Sequence, residues 1–175
     1  MKKIFITGIF GTGKTTVAKK FEDKGFKTID IDYFPDLCSW VNKETGEKAE
    51  LSNTESPDNE FIDKNDYKCD TNKLVKMMEE SDETVLVFGS VGDNSDLLHL
   101  FDKVTLLQCK PETLVGRLKN RDTNDFGKKK EVQERMLDWK VVFDDLMINA
   151  GAIPISTEEP PEQVVENIIK EISVE

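Results

Sequence analysis

The sequence predicts a three-layer α/β fold, a five-stranded parallel sheet with helices on both faces. Three observations predict it. Short apolar segments rich in β-branched residues alternate along the chain with amphipathic segments of helical period, and that alternation makes a parallel sheet covered on both sides. The first of these strands runs directly into a glycine-rich turn and then a helix. The length, 175 residues, suits one domain with a substantial buried core.

The elements follow in order. Residues 2–7 (KKIFIT) form the first strand, 8–14 the glycine-rich turn, and 15–24 a helix with Val17, Ala18 and Phe21 on one face and Gly25 as its stop. Residues 26–32 (FKTIDID) carry a second strand to an acidic end. Residues 33–70 hold Pro35, Gly46, Pro57 and many Asn, Ser and Asp, which predicts irregular structure. A helix over 71–80, a third strand over 84–89 (TVLVFG), a short helix over 93–102 and a fourth strand over 103–108 come next. Pro111 opens a helix through Arg117, because the first helical position needs no N–H. Residues 120–129 are a polar loop. Residues 131–149 form a long amphipathic helix whose apolar face is Val132, Met136, Trp139, Val142, Phe143, Leu146 and Met147. A fifth strand covers 152–155. The last helix covers 162–172, with Val164, Val165, Ile168, Ile169 and Ile172 inward. The expectation is a single domain over 1–175.

Composition excludes several function classes. The net charge of −11 argues against a general nucleic-acid binder, which needs a basic face. No apolar run approaches the ~20 residues of a membrane span, and the apolar stretch after the two N-terminal lysines is too short and glycine-rich for a signal peptide. Cys38, Cys69 and Cys109 give neither C-x-x-C nor an even disulfide framework, so the expectation is reduced thiols and a cytoplasmic location. His99 is the one histidine, which nearly excludes a histidine metal site or triad. Nothing here fixes an oligomeric state.

The motif that carries chemistry is Gly8-Ile9-Phe10-Gly11-Thr12-Gly13-Lys14-Thr15, or G-x-x-x-x-G-K-T. Glycines let the backbone fold into a concave nest of N–H groups around phosphate oxygens. The helix that follows points its positive end at the same oxygens. Lysine at the seventh position reaches the β- and γ-phosphates, and the next hydroxyl ligates Mg²⁺. The predicted nucleotide contacts are therefore Gly8, Gly11, Thr12, Gly13, Lys14, Thr15 and Thr16. A dinucleotide fingerprint fits less well, because the glycines fall as G-x-x-G-x-G and the Lys-Thr pair goes unexplained. Ser90 lacks the first glycine of a nucleophile elbow.

Beyond the loop, Asp30-Ile31-Asp32 ends the second strand, where alternate residues share a face. Arg117-Leu118-Lys119-Asn120-Arg121 ends one helix, and Glu134-Arg135-Met136-Leu137-Asp138-Trp139 lies in the next. Together these features resemble the P-loop small-molecule kinases: the nucleoside-monophosphate, shikimate and gluconate kinases. The resemblance implies a three-layer P-loop NTPase fold with a small lid at about 120–130, hinged near Gly127. It also implies transfer of the γ-phosphoryl group of ATP·Mg²⁺ to a nucleoside, nucleotide or sugar-like hydroxyl. By the same resemblance Thr15 and Asp30 lie at the metal, Asp32 orients or deprotonates the acceptor, and Lys14, Arg117, Arg121 and Arg135 meet the phosphates. Ser90 or Asp93 stands where many such enzymes carry a second metal-binding acid. The loop after the fifth strand, 155–161, passes the base. Tyr33, Phe34 and Trp40 are placed to stack on a base or sugar, or to pack in the core. Segment 40–75 occupies the acceptor side. Its acidic stretch 44–66 holds eight acids against two lysines and tilts the reading toward a neutral or cationic acceptor. The alternative is a nucleotide-binding switch or slow ATPase that uses this stretch as a partner surface.

Overall fold

The computed structural model describes residues 1–51, 57–91, 95–120 and 130–173. The central sheet has the order β2-β5-β1-β6-β7, and every neighbouring pair is parallel. Its strands are β1 (Lys3–Thr7), β2 (Lys27–Asp30), β5 (Val85–Phe88), β6 (Lys103–Gln108) and β7 (Ile153–Ser156). Helices α1 (Lys14–Asp23) and α7 (Pro161–Ser173) cover one face. Helices α3 (Thr71–Glu79), α4 (Ser95–Leu98), α5 (Pro111–Lys119) and α6 (Lys130–Asn149) cover the other. This is the predicted three-layer P-loop fold.

Strand pleating explains the two cores. Ile4 and Ile6 of β1, Leu86 and Phe88 of β5 and Leu107 of β6 turn toward α1 and α7, meeting Val17, Phe21, Val164 and Ile168. Phe5, Val85 and Val87 turn the other way onto Leu74 and Met78 of α3, while Leu106 meets Leu114 and Leu118 of α5. Both faces are buried, so the strands read as apolar runs. No helix among the described residues is long and apolar enough to cross a membrane.

The structure departs from the sequence expectations in three places. The second strand stops at Asp30, not Asp32, so the two acids do not share one strand face. Ile31 donates its N–H to the Phe88 carbonyl at 2.9 Å and is fully buried, and the chain then turns. Segment 33–70 is not irregular throughout. It holds an antiparallel pair, β3 (Cys38–Asn42) and β4 (Asn65–Cys69), with α2 (Asn59–Lys64) between them. Trp40 packs on Phe61 and Tyr67 with ring centroids 5.3 and 5.2 Å away, an apolar centre small enough to escape a periodicity reading. Since α3 packs on the main sheet, this arm ends at β4. Finally, α6 buries Val132, Met136, Phe143 and Met147 but leaves Trp139, Val142 and Leu146 exposed. A helix on a sheet buries a narrower stripe than its hydrophobic pattern suggests.

One glycine fixes where the site acids stand. Gly89, just after β5, has φ +152°, and a Cβ there would lie 2.1 Å from Ile31 Cγ1. Ile31 is buried and cannot yield. Gly89→Ala should cost roughly 1–3 kcal/mol by overpacking, with the unfavourable backbone adding to that. Urea unfolding measures it, and an unchanged midpoint would contradict this contact.

Candidate phosphate-binding and acceptor site

The loop 8–13 joins the end of β1 to the start of α1 at the carboxyl edge of the sheet, where open α/β sheets bind ligands. Gly8, Gly11 and Gly13 have φ +153°, +87° and +100°. A Cβ on Gly8 would sit 2.6 Å from the Leu107 carbonyl oxygen, so the loop packs against β6 with no room for a side chain. Gly13 is the N-cap of α1 and no side chain caps it, which leaves the first-turn N–H groups opening onto the loop.

Lys14 is buried. Its ammonium donates to the carbonyls of Gly8 at 2.6 Å and Ile9 at 3.2 Å, and stands 5.6 Å from the centre of the Phe10 ring. Phe10 thus forms a wall of the site while its ring also packs against the cores beneath α5 and α6. The Thr12 hydroxyl donates to Ile9 O at 2.8 Å, which braces the loop from inside. Thr16 lies exposed on the first turn of α1.

The two residues assigned by resemblance to the metal do meet. The Thr15 hydroxyl stands beside the Asp30 carboxylate. Burial pushes the Asp30 carboxyl up to about 6, and the Asp32 charge adds to this. The Asp32 amide, Lys14 and Thr15 oppose it. The amide bond is 3.1 Å long, from Asp32 N to Asp30 Oδ1. A hydroxyl and a carboxylate side by side are hard oxygen donors and fit Mg²⁺, which keeps several waters and needs few protein ligands. Among the described residues no group of three or more His, Cys, Asp or Glu forms a metal cage.

Asp32 is exposed, in the turn after β2. It is not isolated: the Tyr67 hydroxyl, from β4, stands beside its carboxylate. Burial, with the Asp32 charge beside it, pushes the Tyr67 phenol well above its ordinary value, so it stays a donor. Sequence reasoning missed Tyr67. No local signal marks it, because only the pairing of β3 with β4 carries it to Asp32. Tyr33 and Phe34 follow Asp32 and are exposed, whereas Trp40 belongs to the core of the arm.

The arginines separate. Arg117 donates to Thr12 O (3.3 Å) and to both the hydroxyl (3.0 Å) and carbonyl (2.6 Å) of Thr157. It therefore clamps the phosphate loop to the loop after β7. Thr157 is itself fixed by bonds to Gln108 O, and Glu158 accepts from Lys110 N (2.8 Å) and Thr113 Oγ1 (3.0 Å) at the start of α5. Those bonds hold the Glu158 carboxyl below its ordinary range. Arg135 points to the arm: it pairs with Asp63 at 2.8 Å and donates to Asn59 O at 3.4 Å. Arg121, most of the expected lid (121–129, with Gly127) and Asp93 lie outside the described residues. Ser90 is buried at the end of β5.

Comparisons with known proteins agree with this architecture. A family model described as an AAA domain matches residues 4–138. Among solved structures, the chain is similar to shikimate kinase from Acinetobacter baumannii in complex with shikimate. That match has 17% identity and a TM-score of 0.63, covering 98% of this chain and 93% of that one. It is also similar to a gluconokinase from Sinorhizobium meliloti 1021, with 16% identity and a TM-score of 0.56 over 98% and 91% of the two chains. A third is deoxyadenosine kinase from M. mycoides with bound dATP, with 14% identity and a TM-score of 0.56 over 98% and 100%. At these identities the likeness is one of fold. Comparison with curated proteins gave no match.

The Asp30–Asp32 pair predicts a pH dependence. An unfolded aspartate titrates near 3.8, whereas native Asp30 holds its proton up to about 6. The native state then binds more protons than the unfolded one between these values, so stability falls as pH rises through that window and stays lower above it. Asp32→Asn removes the neighbouring charge and should lower the Asp30 pKa and shrink this fall. Carbon-detected NMR titration reads the first and urea unfolding across the window the second. Wild-type Asp30 titrating at its unfolded value would refute the burial.

Proposed function

The chain belongs to the AAA-domain family, and from that premise we propose that it is an ATP-dependent phosphotransferase acting on the hydroxyl of a small molecule. The observation that carries this reading is the chain of contacts from the phosphate loop through Thr15 to Asp30, Asp32 and Tyr67. A nucleotide switch has no use for a tyrosine-held carboxylate beside its phosphate loop, whereas phosphoryl transfer to an alcohol does.

The roles follow from position. Bound ATP·Mg²⁺ supplies the phosphoryl group and a cation that offsets charge on its oxygens. The amides of 8–13 and the start of α1 cradle phosphate, and Lys14 exchanges its carbonyl partners for phosphate oxygens. Thr15 would hold the metal, and Asp30 would hold it from beside Thr15. Asp32 orients the acceptor hydroxyl and takes its proton, and Tyr67 keeps the Asp32 carboxylate aimed. Arg117 acts by positioning the loop, and Arg135 by holding the arm to α6. Arg121 is left as the arginine that closes on the phosphates. The acidic arm disfavours an anionic acceptor, and exposed Tyr33 and Phe34 suit a compound with an apolar ring or carbon face. A sugar-like molecule or a nucleoside meets both conditions.

Two variants test this. Lys14→Ala should weaken ATP binding at least tenfold by calorimetry. Asp32→Asn should leave ATP affinity within about twofold and lower acceptor-dependent ADP release by roughly 10²–10⁴, the range of a lost general base. A panel of nucleosides and polyols with ATP·Mg²⁺ supplies the acceptor. If no acceptor raises ADP release above the acceptor-free rate, the switch reading replaces this one.

A further inference from the structure

Cys38 and Cys69 lie 31 positions apart in sequence, yet they are direct partners across the β3–β4 ladder. Their place in the ladder matters. Asp70 N bonds Leu37 O at 2.8 Å, and Lys43 N bonds Lys64 O at 3.0 Å. Hydrogen-bonded and non-hydrogen-bonded pairs alternate in an antiparallel ladder, so these two anchors put Cys38 and Cys69 in a non-hydrogen-bonded pair. There the Cα atoms approach to ~4.5 Å, and the side chains are nearer than at hydrogen-bonded positions. Disulfides span Cα separations of ~4.4–6.8 Å, so no strand has to move far. The two thiols are near enough across the ladder to shift each other's protonation. Both are half-buried, within reach of a small reagent, whereas Cys109 is buried in the core of α5 and α6.

We propose that Cys38 and Cys69 are a reversible dithiol–disulfide site at the root of the acceptor-side arm. The oxidant class is a small-molecule disulfide such as oxidised glutathione. The Cys69 thiolate attacks one sulfur of that disulfide, forming a mixed disulfide and releasing one glutathione thiolate. The Cys38 thiol then loses its proton and attacks Cys69 Sγ, closing the Cys38–Cys69 bond and releasing the second glutathione. The pair gives up two electrons and two protons, and the oxidised glutathione becomes two thiols. Cys38 beside it holds the Cys69 thiol below the ordinary range and favours Cys69 as the attacker, while Cys69 first, then burial and the Asp32 charge, keep Cys38 protonated.

The site reaches Asp32 through Tyr67. Tyr67 lies on the same strand face as Cys69, and its hydroxyl stands near both Asp32 and Cys38. Disulfide closure fixes the arm at its base and draws Cys38 Sγ from Tyr67 toward Cys69. The consequence for acceptor turnover rests on the phosphotransfer reading above, but the chemistry of the site does not.

The experiment equilibrates the full chain with glutathione buffers from fully reduced to strongly oxidised. It then alkylates free thiols and maps peptides by mass. The expected product is a Cys38–Cys69 link with Cys109 alkylated, reversed by excess reduced glutathione. Cys38→Ser should instead leave Cys69 as a mixed disulfide. Amide exchange in 38–42 and 65–69 should slow on oxidation. Cys38 and Cys69 both alkylated after excess oxidised glutathione, or a link through Cys109, would overturn the site whether or not the protein transfers phosphate. With the link mapped and an acceptor in hand, oxidation should lower turnover severalfold at unchanged ATP affinity. Unchanged turnover would overturn the coupling to Asp32.

Discussion

The turn between β1 and α1 is the constraint around which the rest of the protein is arranged. Gly8, Gly11 and Gly13 adopt positive φ, and the loop lies hard against β6 at Leu107. A backbone in that shape presents N–H groups outward only if both ends are rigid. The central position of β1, hydrogen-bonded on both sides and buried on both faces, supplies one rigid end. The seating of α1 on the sheet through Val17, Ala18 and Phe21 supplies the other. Arg117 adds a clamp from α5 and ties the loop to Thr157, so the elements flanking the phosphate site share one hydrogen-bonded frame.

The second constraint acts across the carboxyl edge of the sheet. Gly89 lets Ile31 pack where a side chain would otherwise stand, and Ile31 divides Asp30 from Asp32. One acid is turned inward to Thr15 and Lys14, the other outward to Tyr67. Two carboxylates so near in sequence therefore occupy different environments, and environment is what sets two acids to different tasks.

Charge distribution explains the arm. Taken as a whole the chain is acidic, but the acids of 44–66 and the bases of 110–135 are separate blocks. They meet through Arg135 and Asp63, an ion pair only partly shielded from water and so of modest strength. The arm therefore rests on α6 through this modest ion pair and through Ile62 packed against Val132 and Met136. A small aromatic cluster holds the arm together internally, and its root is fixed by the β3–β4 ladder.

The sequence by itself determined the fold class, the order of the five central strands and of the helices packed on them, and the phosphate loop. These are local properties: periodicity, turn chemistry and one motif whose spacing is set by phosphate geometry. It also brought Asp30 and Asp32 into view, though as one strand face rather than two. Tertiary structure alone decided what depends on residues distant in sequence. The arm with Tyr67 and the Cys38–Cys69 pair exists only through β3–β4 register, which no local pattern encodes in a polar segment with little apolar alternation. Arg117 and Arg135 looked alike as cations near a lid, and only packing showed one clamping the phosphate loop and the other the arm. Trp139, Val142 and Leu146 had the spacing of a core face, yet the sheet had width to bury only the stripe beside them. Spacing along a chain constrains which residues share a surface, and what that surface meets is settled by the rest of the fold.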